Sequence, residues 1–524
     1  MRYPLLSITM LSNLIFISSV YAQHRPPPPP PPGGNPDSQL QNIVKQLNLT
    51  PINQQQLNLP TIDDKKAQLG KQLFFAKNLG GEQSAACVSC HHPVLGGGDN
   101  LSLSVGVKAV NNLDQQSHDL LGIGRFNGDD DNNLPTVARN APSVFNIALL
   151  TRGLFWDSRV ERTPNGQIVT PDSSVDQNGR RRPDGNLPPN TTLAAAQARF
   201  PVTAANEMRG EFLTESENQA LRASLAARFN SEDNTWLSEF NQVFNEVDVT
   251  FDRIAEAIGE YERSMLFVNN PWQQYLQGNN NALTEQQKAG AVLFFTPRQQ
   301  GGANCVACHN GPTFSDQRAH LTAYPQIGEG AGNQSNTGTS QDFGRENVTG
   351  NSADRYHFRT PSLLNVALTA PYGHSGAFQT LTEVVAHYVD PVRSIDRLFA
   401  ARGNVPFSNG LAPFCRLPQM VSIQEKNNIA CEDIFPDAYQ NSKEVVNYLM
   451  QARTGQVSAR APLRRNTRLS PTQVNEIVAF LNALTDPCAN DRSCLAPWII
   501  DGNDVATYPD DLPLVAHDKD DTEL

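Results

Sequence analysis

The chain of 524 residues carries 41 lysines and arginines against 53 aspartates and glutamates, which gives a formal net charge of −12. This acidic balance argues against nucleic acid or an anionic membrane surface as a partner. It is compatible with a basic protein partner, although a surplus of this size is also usual for solubility alone. The length is enough for two to three domains.

The N-terminus has the layout of a secretory signal. Arg2 provides a basic start, residues 5–20 are mostly apolar, and residues 20–22 form a small-x-small cleavage site. A transmembrane anchor is the alternative, but the apolar stretch is short and is interrupted by serine and asparagine. We therefore predict a signal peptide at 1–22, an exported protein without an integral membrane span, and a compartment that permits disulfides.

Seven successive prolines follow at 26–32. Such a run favours the extended polyproline II helix and cannot contribute to a core. We predict that residues 23–37 are a linker. An SH3-type ligand would have the same composition, but the exported location argues against it.

Four of the eight cysteines lie in two short stretches, "ACVSCHH" at 86–92 and "NCVACHN" at 304–310. A Cys-x-x-Cys pair in an exported protein can be a disulfide, a thioredoxin-like redox site, half of a zinc site or a haem attachment. Histidine directly after the second cysteine favours haem, because the two thiols bind the ring covalently and the imidazole reaches the iron. Zinc would need a second ligand pair at a suitable spacing, and none flanks either stretch. We predict two covalently bound haem c groups, at Cys87, Cys90 and His91 and at Cys305, Cys308 and His309.

The two motifs lie in a repeat. "LGKQLFF" at 69–75 precedes the first motif and "AGAVLFF" at 289–295 precedes the second, and both have the pattern of an amphipathic helix end. A closing helix is predicted near 470–485, with Ser470 as its N-cap. The predicted fold is mainly α, with two cytochrome c-type haem domains in tandem and long loop insertions. The predicted bounds are 38–268 for the N-terminal haem domain, 269–498 for the C-terminal haem domain and 499–524 for an acidic tail.

The other four cysteines form two pairs that are close in sequence. An even number in an exported chain predicts disulfides. We expect Cys415 to pair with Cys431 and Cys488 with Cys494, each closing a small loop and stabilising it.

Beyond the haem motifs, the chain resembles the bacterial di-haem cytochrome c peroxidase and MauG family in a series of further stretches, between about residues 65 and 487. In that family's order these are "ARNAPSVFN" (138–146), "LFWDSR" (154–159), "QARFPVTAANEM" (197–208), "CVACHNGPTFSD" (305–316), "YHFRTPSLLNVALTAPYGHSGAF" (356–378), "TLTEVVAHY" (380–388) and "IVAFLNALT" (477–485). Three polar stretches, 160–192, 325–352 and 393–465, have no counterpart, and we predict loops or lids there.

The resemblance implies the residues of a peroxidase pocket. Glu207 matches the distal glutamate of the N-terminal haem, where a carboxylate can move the peroxide proton from one oxygen to the other. Gln197 matches the pocket glutamine, whose amide can hold the peroxide by hydrogen bonds. Trp156 matches the tryptophan that lies between the two haems.

The iron ligands depart from many peroxidases of this family. Residues 127–142 contain no histidine, although peroxidases that need reductive activation carry a distal histidine there. The resemblance therefore implies that the first iron is five-coordinate or holds water, with His118 as the alternative ligand. At the second haem, Tyr388 matches the position of a methionine ligand, and MauG has tyrosine there. His387 is the neighbouring alternative, and only one of the two can face the iron because adjacent helical side chains point about 100° apart.

Further site residues are implied by the same comparison. Arg139 and Arg359 are candidates for binding haem propionates, since a partly buried carboxylate favours a charged donor. A calcium ion is expected between the haems, where oxygen ligands suit a hard cation. The positions that match the calcium ligands of the family are Asn140, Thr369 and Pro371. His374 also matches a family position, but without an assigned role.

The predicted function is a di-haem c-type peroxidase of the periplasm. It reduces H2O2 to water at the open N-terminal haem, with electrons that a small redox protein, a cytochrome c or a cupredoxin, delivers through the C-terminal haem. The alternative is a MauG-like enzyme that uses high-valent haem to oxidise or oxygenate a protein or organic substrate. A simple electron carrier is disfavoured, because carriers saturate both axial positions of their iron. A homodimer is one candidate assembly.

Overall fold

The computed structural model describes residues 34–111, 119–129, 133–333, 340–399, 412–464 and 467–524. The predicted signal peptide, most of the proline linker and His118 lie outside these residues, so those predictions stay untested. Among the described residues, no helix is both long enough and apolar enough to cross a bilayer.

The fold is mainly helical, as predicted. The first seven helices are α1 (Pro36–Leu47), α2 (Lys65–Phe75), α3 (Leu193–Gln197), α4 (Asn218–Arg228), α5 (Trp236–Phe244), α6 (Phe251–Ser264) and α7 (Pro271–Leu276). The next nine are α8 (Glu285–Phe295), α9 (Gly330–Asn333), α10 (Glu346–Thr349), α11 (Leu381–Val389), α12 (Pro391–Leu398), α13 (Pro418–Asn427), α14 (Ala438–Thr454), α15 (Pro471–Asn482) and α16 (Arg492–Leu495). Ser470 caps α15 as predicted, because its hydroxyl accepts a hydrogen bond from the backbone N–H of Gln473.

Within the described part of the chain, the strands are short and antiparallel, and they form three small sheets. The first sheet contains β1 (Ala109–Asn111) and β2 (Arg125–Asn127). The second contains β3 (Gly153–Leu154), β4 (Val160–Arg162) and β5 (Ile168–Val169). The third pairs β6 (Ala319–Leu321) with β7 (His357–Arg359) in a register that sets Arg359 opposite Ala319.

The sequence repeat corresponds to a repeated helix pair. Helix α2 packs on α6, and α8 packs on α15 in the same way. In each pair a glycine allows the close approach: a Cβ at Gly70 would lie 1.9 Å from the carbonyl oxygen of Ala257, and one at Gly290 would lie 1.8 Å from that of Glu476. The two glycines occupy equivalent places in "LGKQLFF" and "AGAVLFF". A larger residue at either position would push the helices apart.

The buried apolar side chains form two main cores, one around each helix pair. The first core draws on residues 62–267 and again on residues 489–516. The second draws on residues 268–484, and also on Leu40 and Ile43 of α1. Each main core therefore contains one Cys-x-x-Cys-His motif and the helix that precedes it.

The first described helix and the last described residues each cross to the other core. Helix α1 lies on the second core, where Asp37 forms an ion pair with Lys288 at 2.9 Å. Residues 499–524 do not stand apart as an acidic tail, because Leu514 and Ala516 are buried in the first core. Sequence composition missed this packing since the apolar residues of that segment are few and lie between many acidic ones.

The polar insertions are more ordered than the predicted loops. Residues 160–192 carry β4 and β5, which pack over a small separate core. Residues 393–465 contain α13 and α14, with Met420 and Leu449 fully buried. The prediction of a loop is therefore wrong for 393–465, because a few apolar side chains at helical spacing are enough to bury one face, whereas 160–192 contains no regular element outside β4 and β5.

Both predicted disulfides are confirmed. Cys415 is bonded to Cys431, and Cys488 is bonded to Cys494. The four cysteines of the two Cys-x-x-Cys-His motifs are not in disulfides.

Candidate active site

The first Cys-x-x-Cys-His motif lies on a cavity in the first core. Cys87, Cys90 and His91 all line it. The Nδ1 atom of His91 lies 3.2 Å from the carbonyl oxygen of Gly97. That hydrogen bond fixes the ring and leaves Nε2 as the nitrogen available to a metal.

The second motif is arranged in the same way on a larger cavity. Cys305, Cys308 and His309 line it, and the Nδ1 atom of His309 lies 2.9 Å from the carbonyl oxygen of Phe314. Its walls are mostly apolar. The residues present therefore fit a covalently bound haem c at each cavity, with two thiols for attachment and one oriented imidazole for the iron.

The thiols do not suit the redox alternative for a Cys-x-x-Cys pair. Reactive thiols of that class have lowered pKa values. Burial instead raises the pKa of Cys87 well above its usual range and those of Cys90 and Cys305 to about 12. These three half-buried thiols therefore lack the lowered pKa of a redox-active pair.

Glu207 and Gln197 lie on the first cavity together with His91. Gln197 ends helix α3, and Glu207 belongs to a single π-helical turn at Ala205–Arg209. Such turns are rare and are frequent at functional sites. Burial raises the pKa of Glu207, while the nearby guanidinium of Arg159 lowers it. The balance leaves the pKa of Glu207 above the usual value of a glutamate, which favours proton uptake by this carboxylate.

Arg159 is a cavity residue that the sequence analysis missed. Its guanidinium group stacks over the ring of Phe155 at 3.6 Å from the centroid. It lies 3.9 Å from the Glu207 carboxylate and 3.5 Å from that of Asp157. The available signal was its place as the last residue of the "LFWDSR" stretch, directly before the insertion that begins at residue 160.

A second carboxyl group, Glu262, also lines the first cavity and was missed. It is almost fully buried, and its Oε2 atom has no hydrogen-bond partner among the described residues. Burial raises its pKa to about 8. The sequence signal was an acidic residue four positions after Ile258, on the apolar face of α6.

Trp156 lies in the wall that the two cavities share. Its indole N–H donates to the carbonyl oxygen of Asn140 at 2.9 Å, and its own carbonyl oxygen accepts from the backbone N–H of Arg359 at 2.7 Å. Asn140 and Arg359 also line both cavities. The ring is thus held by its neighbours between the two motifs.

The two arginines predicted to bind propionates differ in their surroundings. Arg139 donates to Asp342 at 2.6 and 2.8 Å and to Asp157 at 2.6 Å, so two carboxylates already balance its charge. Arg359 donates to the carbonyl oxygens of Phe155 and Thr360 and makes no ion pair with any described residue. Burial lowers the pKa of Arg359 to about 10. Arg359 is therefore the arginine whose surroundings suit an added carboxylate.

Helix α11 carries both candidate ligands of the second haem. Tyr388 lines the second cavity, and its hydroxyl is hydrogen-bonded to that of Tyr324. His387 does not line it, and its Nε2 atom lies 3.0 Å from the carbonyl oxygen of Thr322. Of the two neighbours, only the tyrosine is directed towards the cavity of His309.

His374 and the expected calcium positions also lie on the second cavity. The His374 ring stacks on Phe358 at 3.7 Å between centroids, and its Nε2 atom has no hydrogen-bond partner among the described residues. Asn140, Thr369 and Pro371 line the same cavity. The amide nitrogen of Asn140 donates to the carbonyl oxygen of Leu101 at 2.7 Å, so its Oδ1 atom is the oxygen left for a cation.

Comparison with known proteins finds a matching family. Residues 64–281 match the family described as di-haem cytochrome c peroxidase. Cytochrome-c peroxidase IdrP2 from Denitromonas iodatirespirans is 27% identical over 337 residues, which cover 61% of this chain and 72% of that protein. Methylamine utilization protein MauG from Methylophilus methylotrophus is 26% identical over 326 residues, which cover 62% and 72%.

Solved structures give a weaker likeness. A MauG-like protein associated with microbial copper homeostasis aligns with 86% of this chain and 97% of its own, at 21% identity and a TM-score of 0.49.

Proposed function

We propose that this chain, which belongs to the di-haem cytochrome c peroxidase family, reduces H2O2 to water at its first cavity with electrons that enter at its second. The relatives named as cytochrome-c peroxidases are oxidoreductases that act on peroxide, and this chain is an enzyme of that class. The observation that carries the proposal is the carboxyl group of Glu207 on the cavity of His91, with its pKa raised by burial.

Two haem c groups, bound at the two Cys-x-x-Cys-His motifs as tandem c-type domains, would supply redox-active iron to each cavity. The repeated helix pair and the two oriented imidazoles support this assignment. The first iron would keep an open axial position for peroxide. The second would be bound by His309 and Tyr388.

Glu207 takes the proton from the inner oxygen of H2O2 and returns it to the outer oxygen as water leaves. A general acid–base needs a pKa near the working pH, and burial raises that of Glu207 in this direction. The amide of Gln197 orients the peroxide by hydrogen bonds. The guanidinium of Arg159 favours the ionised form of Glu207, the form that accepts the proton.

Trp156 connects the two cavities, since its ring lies in their common wall. A large aromatic side chain at that position shortens the path for an electron or a hole. Arg359 would bind a haem propionate there, as its guanidinium donates to carbonyl oxygens and makes no ion pair with any described residue. A calcium ion at Asn140, Thr369 and Pro371 is proposed for the same region.

The electron donor is proposed to be a small cytochrome c or cupredoxin in the periplasm. The name of IdrP2 supports a cytochrome as donor class. The signal-like N-terminus and the two disulfides support an exported location.

A second candidate function is oxidation of a protein or organic substrate, as in MauG. The observation that favours it is Tyr388 on the second cavity, because an anionic oxygen ligand favours ferric and higher oxidation states. Such a ligand would suit an iron that shares oxidising equivalents with the first.

One experiment distinguishes these functions. The pyridine haemochrome assay should return two haems per chain, and replacing Cys305 and Cys308 by alanine should remove one of them. Stopped-flow spectroscopy of the diferric protein with H2O2 then follows peroxide cleavage with and without a reduced cytochrome c. Rapid turnover with that donor supports the peroxidase, whereas a long-lived oxidised state that only an organic substrate discharges supports the alternative. One haem per chain would overturn both.

A further inference from the structure

One segment of this acidic protein carries only positive charge. Residues 445–475 contain five arginines and neither aspartate nor glutamate. The segment belongs to the polar insertion 393–465 and to the turn that leads into α15. A run of one sign over this length is unexpected for a chain whose net charge is −12.

The basic segment folds against the opening of the second cavity. Residues 461–464, Thr467 and Leu469 line that cavity. Arg298, from the segment that precedes the second motif, also lines it. No aspartate or glutamate is among its described lining residues. By contrast, Glu207 and Glu262 line the first cavity together with three arginines, so acidic side chains occur in the wall of the first cavity and not in that of the second.

The arginines at this opening are only partly balanced by acidic groups. Arg460 forms an ion pair with Asp354, so its charge is balanced. Arg453 donates to the carbonyl oxygen of Leu463 and feels the charges of Arg298 and Asp390. Arg464 and Arg468 are exposed and make no ion pair with any described residue. We refer to Arg298, Arg453, Arg464 and Arg468 as the arginine rim.

Acidic groups near the rim do not cancel its charge. The carboxylate of Asp316 lies 2.8 Å from the Nε2 atom of His320, which lines the cavity. Asp390 accepts the N-terminal hydrogen bond of α12 from the backbone of Arg393. The charge of Asp390 acts on Arg453, whereas the exposed Arg464 and Arg468 make no ion pair with either carboxylate, so the exposed part of the rim remains positive.

The rim is not explained by the propionates of the second haem. Arg298 lines the second cavity together with the attachment cysteines Cys305 and Cys308, whereas Arg359, the arginine suited to a propionate, lies in the wall shared with the first cavity. The thioether bonds and the propionates lie on opposite halves of a haem c ring.

We propose that the arginine rim is the docking surface for an acidic electron-transfer protein, which reduces the second site of this chain. This inference rests on the proposed function and specifies that the electron donor is an acidic protein. Clusters of one sign around a cleft steer oppositely charged partners and raise association rates by about 10- to 1,000-fold. The local charge thus favours an acidic partner, whereas the net charge alone would suggest a basic one.

The test compares Arg464→Glu and Arg468→Glu in the holoprotein with a matched control. Lys65→Glu makes the same change in net charge at an exposed residue of α2, on the first core. Stopped-flow spectroscopy measures the reduction of each protein by a reduced acidic cupredoxin and by a reduced basic cytochrome c, over a range of ionic strengths. Fluorescence anisotropy with labelled polyglutamate reports binding without turnover, and hydroquinone, which is uncharged, serves as a reductant that needs no docking.

Each rim variant should slow reduction by the acidic cupredoxin roughly tenfold at low salt and should weaken polyglutamate binding. The difference should shrink as salt rises, and the Lys65 variant should match the wild type. Arg464→Gln replaces the charge reversal if Arg464→Glu loses haem. Unchanged rates and unchanged polyglutamate binding in both rim variants would overturn the docking site, as would faster reduction of the wild type by the basic cytochrome. Failure of H2O2 turnover with hydroquinone would instead count against the proposed function.

Discussion

The guanidinium of Arg159 lies 3.9 Å from the carboxylate of Glu207, on the wall of the cavity that holds His91. Burial raises the pKa of Glu207, and the charge of Arg159 acts in the opposite direction. Because the guanidinium stacks on the ring of Phe155, packing holds it at this distance from the Glu207 carboxylate. The acid–base behaviour of Glu207 therefore depends on a residue that need not touch the peroxide.

Replacing Glu207 by glutamine should slow peroxide cleavage by roughly 10²–10⁴-fold, the usual loss when a general acid–base is removed. Haem content should not change, since Glu207 makes no contact with the attachment cysteines in the proposed mechanism. Single-turnover stopped-flow spectroscopy with H2O2 measures the rate. A variant that reacts as fast as the wild type would remove Glu207 from the mechanism.

Replacing Arg159 by glutamine should move the acidic limb of the pH–rate profile to higher pH. The base form of Glu207 is the active one, and loss of the neighbouring positive charge raises its pKa further, so activity is lost at a pH where the wild type still reacts. Arg159→Lys should restore most of the wild-type profile because it keeps the charge. An equal fall in rate at every pH, without a shift, would point to a structural defect instead.

Replacing Tyr388 by phenylalanine should abolish the low-spin ferric signal of the second haem in low-temperature EPR spectra. Replacing His387 by glutamine should leave that signal in place, because the imidazole is held at the Thr322 carbonyl and does not line the cavity. The first haem serves as an internal control in both spectra. Loss of the signal in the His387 variant alone would reverse the assignment.

The fully ferric protein should react with H2O2 without prior reduction, because no distal histidine is expected at the first iron. Its resting EPR spectrum should contain one high-spin haem and one low-spin haem. The His118→Ala variant tests the alternative ligand, which the described residues do not include. Two low-spin haems at rest, with one becoming high-spin in that variant, would make this a reductively activated peroxidase.

Replacing Glu262 by glutamine should stabilise the protein at alkaline pH. The pKa of Glu262 is raised to about 8 in the folded protein, so between its ordinary value and about 8 the folded state holds a proton that the unfolded state has lost. The free energy of unfolding should therefore fall as pH rises through that window, by an amount on the order of a few kcal/mol, and stay low above it. Glutamine removes the titration, so its thermal midpoint should exceed that of the wild type at pH 9 and not at pH 5. Equal midpoints across the range would show that water or another group already balances this carboxyl group.

The site residues divide into those that short sequence patterns predict and those that they do not. Glu207, Gln197 and Trp156 were predicted because they stand in stretches that resemble the di-haem peroxidase family. Arg159 and Glu262 were missed because an arginine after an aromatic residue, or a glutamate on a helix, is ordinary in sequence. Only their burial on the cavity wall sets them apart.

The sequence by itself determined the features that depend on close neighbours in the chain. The two Cys-x-x-Cys-His motifs, the helix before each motif, the cap of α15 and both disulfides arise from spacings of a few residues, so local geometry specifies them. Only the tertiary structure decided how distant segments meet. It brought the last residues of the chain onto the first core, set Trp156 in a wall shared by both cavities and gathered the arginine rim around the second. The physical reason is that these contacts depend on which apolar faces bury each other, and an acidic or basic segment gives little sign in sequence of where its few apolar side chains will pack.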